Sequence, residues 1–93
     1  MFTRYLHDPG NPHSLSHDQI YSIYGDRSGT LWIGTQGGGL NRYDRDTNRF
    51  IQYRHHPNNP TSLSHDEVYV IFEDRSGVMW LGTNGGGLCI FDR

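Results

Sequence analysis

Asp26-Arg27-Ser28-Gly29-Thr30-Leu31-Trp32-Ile33-Gly34-Thr35-Gln36-Gly37-Gly38-Gly39-Leu40 returns almost unchanged as Asp74-Arg75-Ser76-Gly77-Val78-Met79-Trp80-Leu81-Gly82-Thr83-Asn84-Gly85-Gly86-Gly87-Leu88. The two tryptophans set a period of 48 residues, and pairing residues 2–45 with residues 50–93 gives 26 identities in 44 positions. A period of that size belongs to stacked or radial repeat architectures. One such unit cannot bury its hydrophobic face alone. Two copies are therefore too few for a self-sufficient repeat fold, and the way this shortage is met should govern how the chain behaves.

The 93 residues are 33% hydrophobic, a marginal core for a lone domain, so partner surface is expected to be needed. Twelve glycines and twelve aromatics, with no Ala and no Lys, disfavour helices and favour twisted sheet with tight turns. The expected class is all-β, in a single segment made of repeat 1 (1–48, including an N-terminal outer strand) and repeat 2 (49–93). A net charge of −2 leaves no basic face for nucleic acid. The one cysteine, Cys89, occupies the place of Asn41 in the first copy, reads as a small strand residue and supports no internal disulfide. No stretch approaches the roughly 20 apolar residues that span a bilayer. The N-terminus carries no apolar signal segment, so the chain as given is expected to stay where it is made.

In chain order, Phe2-Thr3-Arg4-Tyr5-Leu6-His7 reads as a strand, with Phe50-Ile51-Gln52-Tyr53-Arg54-His55 as its counterpart. Imperfect alternation marks it as an edge or outer strand with a bulge or a part-exposed face. A long connection follows, anchored by Leu15 in the first copy and Leu63 in the second. Ile20–Tyr24 and Val68–Phe72 are continuously apolar, the pattern of strands covered on both faces. Leu31–Thr35, Leu40–Asp44 and the run at Phe50 complete four antiparallel strands per period, each joined by a tight turn. Four short strands in a meander are the layout of a β-propeller blade.

The L-W-I-G-T-Q-G-G-G-L and M-W-L-G-T-N-G-G-G-L stretches, each preceded by D-R-S-G, resemble the two-component regulator propeller repeat. The resemblance covers nearly the whole chain. It implies blades of the kind that build the extracytoplasmic sensor propellers of hybrid histidine kinases, several of which respond to oligosaccharides. The membrane, kinase and regulator segments of such receptors are not in these 93 residues, so signalling is not carried over.

On that fold the second blade lacks an outer strand, and the run at Phe2 is a spare one of the same kind. A propeller needs about four to eight blades, and two cannot close a ring. The expected outcome is a homo-oligomeric, head-to-tail ring with strand exchange of the velcro type, a homotrimer with six blades or a homotetramer with eight. A monomer would expose two unpaired edges and an apolar face.

Each chemical motif has a structural reading that outweighs the chemical one. Trp32 and Trp80, inside regular strands, are read as packing anchors between blades rather than sugar-stacking platforms. Gly37, Gly38 and Gly39, like Gly85, Gly86 and Gly87, have no following helix and no Lys to make a phosphate cradle; hairpin turns with positive φ explain them. Ser16-His17-Asp18 and Ser64-His65-Asp66 contain hydrolytic residue types, but neighbours on an extended chain point to alternate sides and do not converge. The six histidines match no zinc spacing, so no metal and no other cofactor is expected. Asp44-Arg45-Asp46-Thr47-Asn48 lacks the glycine and glutamate of a calcium loop and reads as a turn. Asp26 and Asp74 read as turn residues whose carboxylates accept backbone N–H bonds. Arg27 and Arg75 are either exposed or paired with acids of an adjoining blade.

The leading expectation is a non-enzymatic scaffold or binding module. If a ligand site is retained, it belongs where long connections and inner strands meet near the axis, which nominates His17, Asp18, His65 and Asp66 with Tyr21 and Tyr69. The resemblance makes a glycan the first ligand class to try. The competing enzyme readings are a lyase, a glycosidase or a quinoprotein, and no acidic pair suits sugar hydrolysis.

Overall fold

In the computed structural model, residues 2–59, 62–63 and 65–91 are described, and they contain strands and turns without helix. The strands are β1 (Ile20–Gly25), β2 (Leu31–Thr35), β3 (Leu40–Asp44), β4 (Arg49–Tyr53), β5 (Val68–Glu73), β6 (Met79–Thr83) and β7 (Leu88–Phe91). They form two antiparallel sheets of order β1-β2-β3-β4 and β5-β6-β7. Each sheet is a meander with its strands in sequence order. Repeat and blade are offset, because β4 comes from the second sequence repeat yet closes the first sheet.

The D-R-S-G turns are wired by their aspartates. Asp26 Oδ1 accepts N–H bonds from Ser28 (3.0 Å) and Thr30 (2.9 Å), while Oδ2 accepts the indole N–H of Trp32 at 2.8 Å. Asp74 repeats the arrangement with Ser76, Val78 and the Trp80 indole at 2.9 Å. One carboxylate therefore closes the turn and also orients the tryptophan that starts packing six residues later. A donor-only indole needs such a partner when it is buried.

The sheets pack face on face. The forward face of blade 1 presents Trp32 and Leu40, with Tyr24 and Tyr53 beside them, to the rear face of blade 2, which supplies Val68, Ile71, Met79 and Leu81. Trp32 is 3% exposed, and its ring meets Phe91 edge-on with centroids 5.3 Å apart. Truncating a buried indole of this kind typically costs about 3–5 kcal/mol. Gly34 lets the blades approach, since a Cβ there would lie 2.6 Å from the Val68 carbonyl oxygen. Arg27 spans the same junction: its backbone N–H donates to Glu73 Oε1 at 3.0 Å and its Nη2 to the Asp74 carbonyl at 2.9 Å. Both readings of Arg27 hold at once: its side chain is 59% exposed, and its Nε lies 3.8 Å from Glu73 Oε1 across the blades.

The structure departs from the sequence expectation in three places. Residues 2–7 are not a strand, because no described strand lies beside them to complete a ladder. They are docked instead through Tyr5, whose ring lies 5.7 Å from both Tyr43 and Phe50 on the rear face of blade 1. The inner strands are apolar but not covered on both faces: Ile23 is 63% exposed, and Val70 and Phe72 are similarly open. The bulges fall on these inner strands, at Tyr21 between Ile20 and Ser22 and at Tyr69 between Val68 and Val70.

The turn chemistry gives a pH signature. Hydrogen bonds from Trp80 and Ser76, and those from the turn backbone, hold the Asp74 carboxyl at about 2, below its ordinary 3.8. A depressed carboxyl stabilises the fold above its unfolded value, and that contribution disappears as pH falls from 3.8 through about 2. Asp74→Asn should therefore lower the melting temperature near neutrality and have much less effect at the acid end. A melting-temperature gap that is constant across this range would contradict the assignment.

Candidate functional site

β1 and β5 lie side by side while β4 and β7 diverge, so the inner strands mark the side on which blades converge. A bulge adds one residue, turns the strand and re-aims the side chain it carries. Both copies place their bulge on a tyrosine, and the two rings meet across the blades with centroids 4.4 Å apart, tilted by 51°. Each remains about two-fifths exposed, at 40% for Tyr21 and 38% for Tyr69.

Polar groups surround the pair. Glu67 Oε2 accepts from the Tyr69 hydroxyl and from Asn84 Nδ2, both at 3.3 Å. Gln36 bridges to Glu67 across the blades, and the Gln36 N–H donates to the Gln19 carbonyl at 3.1 Å. Hydrogen bonding with the Tyr21 side chain, then desolvation and the nearby Tyr21 and Glu67 charges, push the Tyr69 phenol up to about 12. Tyr69 therefore stays neutral at physiological pH. An exposed aromatic surface rimmed by a carboxylate and amides can stack on a flat apolar face and hydrogen-bond to hydroxyls around it.

The other nominated residues are used in wiring. Asp18 Oδ1 accepts the His7 N–H and Asp66 Oδ1 the His55 N–H, each at 2.6 Å. His17 Nδ1 accepts from the Gln19 N–H and His65 Nδ1 from the Glu67 N–H, so these imidazoles brace the approach to the inner strands. Neither His17–Asp18 nor His65–Asp66 is arranged as a proton relay. Ser16 is buried, bonded through its Oγ to Asn41 Nδ2 at 2.6 Å; Ser64 lies outside the described residues. Among the described residues no three His, Cys, Asp or Glu side chains gather around a common point. Asp44 closes its turn on the Asp46 N–H and the Thr47 hydroxyl, which hold its carboxyl below the usual range.

Of the glycine triplets, Gly37 and Gly39 have φ of 93° and 80°, and Gly85 and Gly87 have 88° and 75°. Gly38 is required by space, since a Cβ would lie 2.5 Å from Ser16 Oγ. Glu67, Asn84 and Gln36 were not singled out from sequence. The signal available was positional: each directly precedes or follows the strand ends that converge.

The two-component regulator propeller family model matches residues 14–37 and 62–85, which carry the inner strands, the D-R-S-G turns and both tryptophans. The chain belongs to this family. Among the solved structures similar to it are two extracellular domains of hybrid two-component systems from B. thetaiotaomicron. That of BT4673 has a TM-score of 0.75 at 36% identity, covering 94% of this chain and 11% of that one. That of BT3049 has a TM-score of 0.80 at 25% identity, covering 96% and 12%. This regulator-propeller chain thus spans a small part of either domain. No curated protein matches it.

The tyrosine pair has a direct signature. In an ultraviolet titration of phenolate, Tyr69 should ionise near 12, and Tyr21→Phe should bring that step down toward the ordinary 10.0. An unchanged titration in Tyr21→Phe would contradict the coupling across the blades.

Proposed function

We propose that this chain is a non-enzymatic binding module of the regulator-propeller type, whose two-blade unit completes itself by stacking on further copies. The observation that carries this reading is the way the packed junction recurs at the open ends. Blade 2 offers on its forward face Trp80, with Leu88 67% and Ile90 61% exposed, in the positions that Trp32, Leu40 and Arg42 hold at the junction. The rear face of blade 1 offers the partly buried Leu31 and Tyr43 over Ile33, which Leu15 and Phe50 already cover to 5% exposure; these are the counterparts of Met79, Phe91 and Leu81, which pack with Trp32. A groove of about 300 Å³ opens there among Leu31, Ile33, Tyr43 and Tyr5. The two faces complement each other but neither complements itself, so the contact is heterologous and closes into a ring when the rotation allows.

Gly82 separates folding from assembly. A Cβ at Gly34 would strike blade 2, whereas one at Gly82 meets only Val70 at 3.4 Å, an ordinary contact. Gly82→Val should keep the β-sheet circular dichroism of the wild type and lose its higher mass in light scattering. If both proteins have the same mass, the proposed docking face is wrong.

A second reading is supported by the Tyr21–Tyr69 pair: recognition of an oligosaccharide at the inner-strand end of the assembled ring. The solved domains described above are extracellular parts of hybrid two-component systems, and the family resemblance makes glycans the first ligand class to test. NMR titration with a panel of plant and host oligosaccharides should shift the Tyr21 and Tyr69 ring signals, and Tyr69→Ala should abolish the response. Silence across the panel would remove this reading and leave assembly alone.

A further inference from the structure

The outer edge of blade 2 carries a second recurrence, independent of the stacked faces. In blade 1, Phe50 on β4 is 7% exposed, packed with Leu15, Ile33 and Tyr43 and lying 5.7 Å from the Tyr5 ring. Moving each of these positions on by one repeat gives Leu63, Leu81, Phe91 and Tyr53. Those four residues line a cleft of about 290 Å³ beside the edge of β7. The residue one repeat before Phe50 is Phe2, which is fully exposed. The chain therefore has a socket built for a phenylalanine at this position and a phenylalanine in the matching register that fills nothing within its own chain.

The segment bearing Phe2 is already held as an outer strand would be. His7 donates its N–H to Asp18 Oδ1 at 2.6 Å and places Nδ1 at 2.8 Å from the Leu15 carbonyl. His55, which leaves β4, makes the same pair of contacts with Asp66 and Leu63 at 2.6 and 2.7 Å. Asp8 N–H donates to Ser14 Oγ at 3.0 Å as His56 N–H does to Ser62 Oγ at 2.9 Å. Tyr5 rests on Tyr43 as Tyr53 rests on Phe91, with centroids 5.7 and 5.1 Å apart. Four contacts thus fix the exit of residues 2–5 in the geometry that, one repeat later, continues into β4. What this segment lacks is a strand to pair with.

Resting on the ring reading above, we propose that residues 2–5 of one copy form the fourth strand of blade 2 in the neighbouring copy, with Phe2 seated in the cleft beside that copy's β7. The register follows from blade 1, where Tyr43 opposes Phe50, Arg42 opposes Ile51, Asn41 opposes Gln52 and Leu40 opposes Tyr53. One repeat on, Phe91 opposes Phe2, Ile90 opposes Thr3, Cys89 opposes Arg4 and Leu88 opposes Tyr5. The exchanged strand runs along the outer edge of β7, beside which no described strand lies, and it supplies main-chain hydrogen bonds that stacking of faces alone does not. Forward-face stacking and strand exchange join the same two copies, so each strengthens the other through effective concentration.

The register is tested with Thr3→Cys and Ile90→Cys combined in a Cys89→Ser chain, oxidised after assembly and run without reductant. The expected product is a chain-to-chain disulfide with the mass of the assembled species, absent when either new cysteine is omitted. Phe2→Ala should retain the two-blade circular dichroism while raising the concentration of half-assembly about thirtyfold or more. An oligomer that forms no such disulfide, and is indifferent to Phe2→Ala, overturns strand exchange and leaves ring stacking standing. A disulfide formed within one chain also overturns it. A wild type that stays monomeric overturns the ring reading and the exchange together.

Discussion

A four-stranded sheet with two apolar faces has to be covered twice, and this requirement organises everything else in the chain. At the one junction present, the covering is done by Trp32 and Leu40 of blade 1 on Val68, Ile71, Met79 and Leu81 of blade 2. The carboxylate of Asp26 fixes the indole, Gly34 admits the facing backbone and Arg27 ties the two turns to each other. Hydrophobic burial provides the drive, and the polar groups determine which faces meet.

The junction is directional, and its polarity explains the asymmetry of the chain. The forward face of blade 2 and the rear face of blade 1 carry the same apolar chemistry as the buried junction, but they point away from each other. Large apolar side chains stand open at Phe72, Leu88 and Ile90 on one side and Ile23 on the other, and apolar side chains grouped on one face are what an interaction surface presents. One feature of the junction is not repeated at the open ends. Glu73, which receives the Arg27 N–H, has Gly25 as its counterpart, so a junction between copies would lack that carboxylate.

Most of the architecture was legible in the residues. The 48-residue period, the D-R-S-G turns and the G-G-G hairpins define strands whose observed limits agree with the pattern to within a residue, because turn chemistry and alternation point to the same boundaries; the exception is the end of β4, at Tyr53 rather than His55, where no tight turn marks the boundary. Residues 2–7 match residues 50–55 in composition, but a strand also needs a neighbour, and among the described residues this chain supplies none beside them. The apolar run of β1 and β5 suggested cover on both faces, but sequence shows only that cover is called for, and the single chain leaves it unmet. The tyrosine pair was half legible. Its position near the converging strands could be read, but the bulges that turn Tyr21 and Tyr69 toward each other depend on hydrogen-bond register between β1 and β2 and between β5 and β6. Glu67 and Asn84 escaped notice because nothing in their identity distinguishes them from ordinary loop residues; only the fold brings them to Tyr69.

A closed ring differs from an open stack in having one stoichiometry. Native mass spectrometry of the 93-residue chain, across a range of concentrations, addresses this directly. A single species of three or four chains, with no larger members, is the predicted result. A monomer at every concentration, or a ladder that lengthens as concentration rises, would contradict closure through the faces of Trp80 and Tyr43.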